Sequence, residues 1–302
     1  MRSQRSATQP AVTRRAWVQL LTLAALWGAV YPLITIALRE LSPVVVVFAR
    51  VALAALLLTP LAVRRDALRP LWKRPRAIVE TVLVQSTVPL LLLTFGQLHV
   101  ASGLAGILVG AQPLFVALLA YRYAPDERPQ GWKGTAGIAL GLLGLVLLFG
   151  IDLHGGRLAL LGGALVVAAA LCYAAGAVMI HRRHADAQPL GVATSAMLVT
   201  TAVLAIPTAF SLPHRIPTAG VLGAVAVLGV VCTGATLALF YTLIVQIGPA
   251  RAALAFYLSP GFAVVLGALF LKEKITVSGV AGLILIVAGS LLAAQRAEPA
   301  PP

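Results

Sequence analysis

LSPGFAVVLGALFLKEK, residues 258–274, is the stretch whose reading decides the fold. A proline sits inside an otherwise apolar run, Gly261 and Gly267 lie near it, and a Lys-Glu-Lys cluster ends it abruptly. In water this is a poor helix, because proline lacks a backbone donor and its ring strikes the preceding turn. In a bilayer, neighbouring helices and local adjustments re-satisfy the freed backbone groups. The same pattern occurs earlier as AQPLFVALLAYRYAPDER, residues 111–128. Pro113 and Pro260 lie 147 positions apart, about half of the 302-residue chain. A duplicated membrane unit is the first expectation.

Composition supports the membrane reading. The chain is 60% hydrophobic and 11% charged, whereas a soluble domain carries about 25% charged residues. So much apolar side chain calls for an apolar solvent, and the chain reads as a polytopic membrane protein. The formal net charge of +14 does not point to nucleic acid, because the basic residues sit in the gaps between apolar runs. Cys172 and Cys232 lie inside apolar segments with no metal spacing and read as small core residues. No metal and no cofactor is expected.

Arg14-Arg15 ahead of an apolar run resembles an export signal, but the run continues to about residue 38, too long for one. Runs long enough to cross about 30 Å of hydrocarbon fall at 16–38, 43–63, 77–98, 100–121, 131–150, 158–180, 190–210, 218–246, 249–271 and 276–295. The expected fold is therefore an all-α membrane protein with ten transmembrane helices. Its segments are a cytoplasmic start (1–15), a first five-helix repeat (16–150), an outer linker (151–157), a second repeat (158–295) and a cytoplasmic tail (296–302). With the N-terminus inside, 17 Lys and Arg fall on the inner side and 5 on the outer. Both termini are thus expected in the cytoplasm of a multi-pass inner (plasma) membrane protein. Lys272 and Lys274 are the outer-side residues that strain this assignment.

The halves match beyond their prolines. Gly134, Gly137 and Gly144 correspond to Gly279, Gly282 and Gly289, each 145 positions on, and Glu127 corresponds to Glu273. Five spans per half is an odd number, so the second copy enters the membrane inverted. Inverted repeats create a pseudo-two-fold axis in the membrane plane and a site near the midplane between the halves.

GPARAALAFYLSPGFAVVLGALFLKEKITVSGVAGLILIVAG, 248–289, resembles the pattern of the drug/metabolite transporter superfamily, and within it the ten-helix EamA-type proteins. Trp27-Gly28, Ser42-Pro43 and Phe48-Ala49-Arg50 add to the resemblance. It covers nearly the whole chain and implies translocation of small organic solutes, often export of amino acids or metabolites, without identifying the solute.

Polar and aromatic residues within spans are the candidate solute contacts, because burying them costs energy unless they face a cavity or a partner. Arg50 lies about seven residues, roughly 10 Å, inside its span. Its guanidinium is suited to a substrate carboxylate; the alternatives are snorkelling to the interface or pairing with Glu40. Gln85, Ser86, Thr87 and Pro89, then Thr94 and Gln97, give the third span either a cavity face or interhelical hydrogen bonds. Gln112 and Ser259 precede the paired prolines and are expected together at the centre. Trp27, Tyr31, Tyr173, Tyr241 and Tyr257 are candidate aromatic walls, whereas Trp17, Trp72 and Trp132 fit the interface belt. Pro89, Pro113 and Pro260 are the expected helix bends.

The first functional expectation is a secondary transporter or facilitator, a monomer or homodimer whose partners are a small-molecule solute and the lipid bilayer. No acidic residue lies near the middle of a span, which favours facilitated diffusion or exchange. A proton-coupled drug/metabolite exporter working through Glu80 or His99 is the alternative. An integral membrane enzyme acting on lipid or isoprenoid is the alternative of another class. It needs a cluster of catalytic groups, and His181, His184 and Asp186 in a short basic loop come nearest. That loop reads better as a topology signal, so the chain is not expected to be an enzyme, and with no Walker A, G-x-G-x-x-G or H-E-x-x-H sequence, ATP-driven pumping by the chain itself is not expected either.

Overall fold

The computed structural model describes residues 13–123, 128–129, 131–151 and 156–294. Among them the regular structure is helical throughout. Ten long helices follow one another: α1 (Arg14–Ala37), α2 (Pro43–Arg64), α3 (Pro75–Gly96), α4 (Ser102–Tyr123) and α5 (Gly131–Ile151) in the first half. The second half contains α6 (Arg157–Arg183), α7 (Pro189–Ala209), α8 (Ala219–Ala226 continuing through Val227–Ala235 into Thr236–Ile247), α9 (Leu254–Leu271) and α10 (Val277–Ala293). Nine are long and apolar enough to cross a membrane, and α10 is a shorter apolar helix of 17 residues. Most of the 151–157 linker and the two terminal segments lie outside the described residues.

Helix boundaries follow from local chemistry. The Thr13 and Thr276 hydroxyls accept from Ala16 N–H and Gly279 N–H, capping α1 and α10. Pro43 and Pro189 open α2 and α7, where proline's missing donor costs nothing. Within the spans, Thr81, Thr94, Thr194 and Thr236 return their hydroxyl protons to the carbonyl four residues back. The outer surface is strongly apolar, with Phe210, Ile216 and Val277 almost fully exposed, as lipid-facing side chains require. Trp17, Trp72 and Trp132 are exposed near helix ends.

Glu273, expected only as a boundary residue, reaches back across the molecule. Its carboxylate accepts from Ser102 N–H at 2.8 Å and Gly103 N–H at 2.9 Å, the first orphan donors of α4. That cap fixes the start of α4 at Ser102, two residues later than the apolar run alone predicts. It also accounts for an acidic residue between two lysines at the end of α9.

Packing couples the halves in symmetric pairs. Helix α1 packs on α9 as α6 packs on α4; α3 packs on α6 as α8 packs on α1. The pairs α2 with α7 and α5 with α10 map onto themselves. The α5–α10 seam carries the glycines matched in sequence. A Cβ at Gly137 would lie 2.6 Å from the Gly289 carbonyl oxygen, and one at Gly144 would lie 3.0 Å from that of Gly282. As numbers rise along α5 they fall along α10, so these two equivalent helices run antiparallel. That is the register an inverted duplication produces.

Candidate functional site

Two helices depart from α geometry at matching places. In α3, Leu83–Thr87 forms a π-helical turn directly before Pro89; in α8 the π-helical stretch is Val227–Ala235. In α3 the wider turn relieves the clash between the Pro89 ring and the Gln85 carbonyl that a regular helix would impose. Pi-turns also redirect side chains and recur at functional sites. Here the first sets Gln85 into a central cavity, and the second carries Thr233.

The cavity has a volume of about 390 Å³ and lies between the two repeats. Trp27, Tyr31, Arg50, Gln85, Gln112, Tyr173 and Ser259 line it, together with Pro113 and Pro260. The structure thus gathers these residues from α1, α2, α3, α4, α6 and α9. Around Pro113, α4 breaks at Gly110-Ala111, whereas α9 continues through Pro260. Gly110 packs on the Pro260 ring, so the two proline regions meet as the repeat predicted.

Arg50 neither snorkels to an interface carboxylate nor pairs with Glu40. Its Nε donates to Thr233 Oγ1 at 2.8 Å, and that hydroxyl donates to the Leu228 carbonyl at 2.7 Å, an i−5 bond available because the helix is π-helical there. Tyr31 and Tyr173 line the same cavity as the guanidinium. No carboxylate lines the cavity among the described residues. Glu40 instead accepts from the backbone N–H and the hydroxyl of Thr218, both at 2.7 Å, at the start of α8. These two bonds hold its carboxyl below the usual carboxylate range.

Gln85 Oε1 is shielded from solvent and has no protein partner. Helix α6 passes so close that a Cβ at Gly176 would lie 2.6 Å from Gln85 Cα and Cβ. The oxygen faces α6, since it is the atom a Cβ at Gly176 would meet first, so Oε1 is enclosed between helices although the residue also lines the cavity.

Other expected contacts go elsewhere. Ser86 Oγ accepts from Thr200 Oγ1 at 3.3 Å, and Thr87 and Thr200 share a bond of 2.9 Å, joining α3 to α7. Gln97 Nε2 donates to the Tyr31 carbonyl at 3.0 Å and to Thr35 at 3.2 Å. The third span therefore divides its polar residues, with Gln85 on the cavity and its neighbours between helices. Tyr257 is half-buried and lies outside the cavity, because Phe256 shares the helix face of Ser259 and Pro260 while Tyr257 is turned about 100° away. The side chain of Tyr241 lies outside the described residues. His184, of the loop cluster weighed for an enzyme, is buried with Nε2 at 3.2 Å from Thr81 Oγ1. No group of three His, Cys, Asp or Glu able to hold a metal occurs among the described residues.

Sequence reasoning named Trp27, Tyr31 and Tyr173 but missed the rest of the apolar and aromatic lining, Phe240, Phe256, Leu93 and Val109 among it. Trp27, Phe240 and Phe256 form a cluster with ring centroids 4.5–5.6 Å apart. One repeat length away, 146 or 147 positions, lie Tyr173, Leu93 and Val109, and all three also line the cavity. The repeat offset, already visible in the prolines, was the signal that could have found them.

Comparison with known proteins agrees with this architecture. The EamA-like transporter family model matches residues 15–150 and again 160–295. The uncharacterized transporter YoaV of Bacillus subtilis is 25% identical over 89% of this chain and 93% of its own length. The uncharacterized inner membrane transporter YedA of Escherichia coli is 29% identical over 82% of this chain and 80% of its own. A solved crystal structure at 20% identity superposes with a TM-score of 0.66 over 92% of this chain and 97% of its own, a likeness of fold. Two matched copies spanning nearly all of the chain, joined around one cavity, identify it as a multi-pass membrane transporter that belongs to the EamA-like transporter family.

Proposed function

We propose that this chain is a secondary transporter that moves small organic solutes bearing a carboxylate, amino acids and related metabolites foremost, across the inner (plasma) membrane by alternating access, in the direction of export. The observation that carries the reading is Arg50: a guanidinium in the wall of a cavity between inverted repeats, held through Nε by Thr233. Its terminal nitrogens have no carboxylate partner among the described residues, and two tyrosines line the same cavity. A charge kept inside a bilayer at such cost is paired in use, and a solute carboxylate completes it in bidentate fashion. Gln85, Gln112 and Ser259 supply neutral polar contacts for the rest of a zwitterion, and Trp27, Tyr31 and Tyr173 supply ring faces for an apolar side chain. The lack of acidic lining residues among the described residues favours facilitated exchange over proton coupling. Both termini are assigned to the cytoplasm from the excess of Lys and Arg on that side.

The test is flux through the purified chain in liposomes. Labelled amino acids should exchange without ATP, equally with and without a proton gradient. No flux across a broad panel of carboxylate solutes would sink the reading, and flux that collapses with the gradient would replace the uncoupled mechanism with a coupled one.

A further inference from the structure

A second cavity, of about 560 Å³, lies in the groove between α4 and α6, away from the central one. Leu119 and Tyr123 of α4 and Leu171, Val178 and Met179 of α6 wall it, with Arg182 and Arg183 at one end. From Leu171 to Arg182 is eleven residues, roughly 16 Å of helix, about the depth of one leaflet's hydrocarbon. Leu171 and Tyr123 are 45% and 46% exposed, so the groove opens sideways to the surrounding lipid.

Its rim is basic, and the arginines differ in how they are engaged. Arg183 Nη1 lies 3.0 Å from Glu80 Oε2 and is thereby paired. Arg182 is exposed and makes no ion pair among the described residues. Arg122 is not itself in the lining, but its guanidinium sits 5.5 Å from the ring centroid of Tyr123, which is, and it makes no ion pair among the described residues. Both lie in the last turns of α4 and α6, where the chain leaves the hydrocarbon. An apolar trough of one-leaflet depth, ending in Arg182 and beside Arg122, which have no carboxylate partner among the described residues, is complementary to one class of molecule. Arginine binds phosphate through its planar fork of donors, and basic pockets between membrane helices take acidic lipid headgroups.

We propose that the α4–α6 groove binds an anionic phospholipid, with an acyl chain along Leu171, Val178 and Leu119 and the phosphate on Arg182 and Arg122. The occupant bears on α6, the helix that presents Tyr173 and Ile180 to the central cavity. The site stands apart from the solute reading, since lipid retention is measured without transport.

Native mass spectrometry of the full chain in detergent, with phosphatidylglycerol or chain-matched phosphatidylcholine added, tests it. The expected result is a retained phosphatidylglycerol adduct preferred by about fivefold or more, the scale of one arginine at a charged interface. Arg182→Gln with Arg122→Gln should bring the preference to parity, and Arg215→Gln should leave it unchanged. Ala175→Phe, which fills the trough and keeps the arginines, should remove the adduct of both lipids. Equal retention of the two lipids by the unmodified chain, or a preference that survives the double substitution, would overturn the proposal. Full displacement by glycerol phosphate alone would overturn it too, because the ligand would then be a free phosphate.

Discussion

The central cavity is walled from equivalent positions of the two repeats, yet the side chains at those positions differ. Where α8 stops and α9 starts, Trp27, Phe240 and Phe256 pack ring against ring at 4.5–5.6 Å, leaving no room between them for a ligand. Where α3 stops and α4 starts, the counterparts are Tyr173, Leu93 and Val109, with one aromatic ring instead of three. The polar wall is lopsided in the same way. Counted from the paired helix starts Pro43 and Pro189, Arg50 answers to Ala196, a buried apolar residue. Duplication supplied a symmetric frame, and substitution within it put the charge in one copy only and the aromatic cluster at one of two equivalent places. Two inverted copies with identical side chains would present the same site in both orientations; these present different ones.

That asymmetry can be broken residue by residue. Removing its charge has the largest expected effect: Arg50→Ala should cut exchange of carboxylate solutes by about 2–5 kcal/mol, thirtyfold or more, the scale of truncating one partner of a desolvated charge pair. Neutral solutes should be much less affected, and the melting temperature in detergent should hold. Equal loss for neutral solutes would make Arg50 a structural residue. Next comes the frame: Gly28→Ala places a Cβ 2.8 Å from the Ala263 nitrogen and 2.9 Å from the Ser259 carbonyl in α9, backbone atoms that cannot swing aside. Overpacking of this kind costs about 1–3 kcal/mol, read as a lowered melting temperature.

The aromatic cluster should respond more mildly. Phe256→Ala should raise, a few-fold, the rate at which a membrane-impermeant thiol reagent labels a cysteine at position 112 in a chain freed of Cys172 and Cys232. Labelling that does not change would show that the rings do not shield the cavity. The smallest effect belongs to Glu40, outside the bilayer. Its carboxyl is held below the usual range by Thr218, so its stabilisation is complete above the unfolded carboxylate pKa and is lost as pH falls through the lower folded value. Melting temperature should therefore drop slightly more on acidification for the unmodified chain than for Glu40→Gln.

The fold was legible because hydropathy, paired prolines and matched glycines are high-contrast signals. Pro113 with Pro260 and Gly137 with Gly282 marked the duplication, and five spans per half, an odd number, gave its inversion. The polar part of the cavity was legible for a related reason: in a chain this apolar, Arg50, Gln85 and Gln112 stand out. Contrast also explains the rest. Phe240, Phe256 and Leu93 are apolar residues among apolar residues, and nothing but the repeat offset marks them. Ser86 and Tyr257 stood out as a polar and an aromatic residue within spans, but Ser86 is turned about 100° from Gln85 and Tyr257 as far from Phe256, so each faces a different partner. Thr233 could not be found, because its role depends on a π-helical stretch that has no proline to announce it.

The glycine seam between α5 and α10 has a genetic consequence. Gly137 touches the backbone at Gly289, and Gly144 the backbone at Gly282, so each copy of the ancestral unit is the steric environment of the other. A methyl group gained in one copy is felt at once by the other. Substitutions across this seam should therefore be epistatic, and the two halves of the gene are tied together here more tightly than at the asymmetric cavity they enclose.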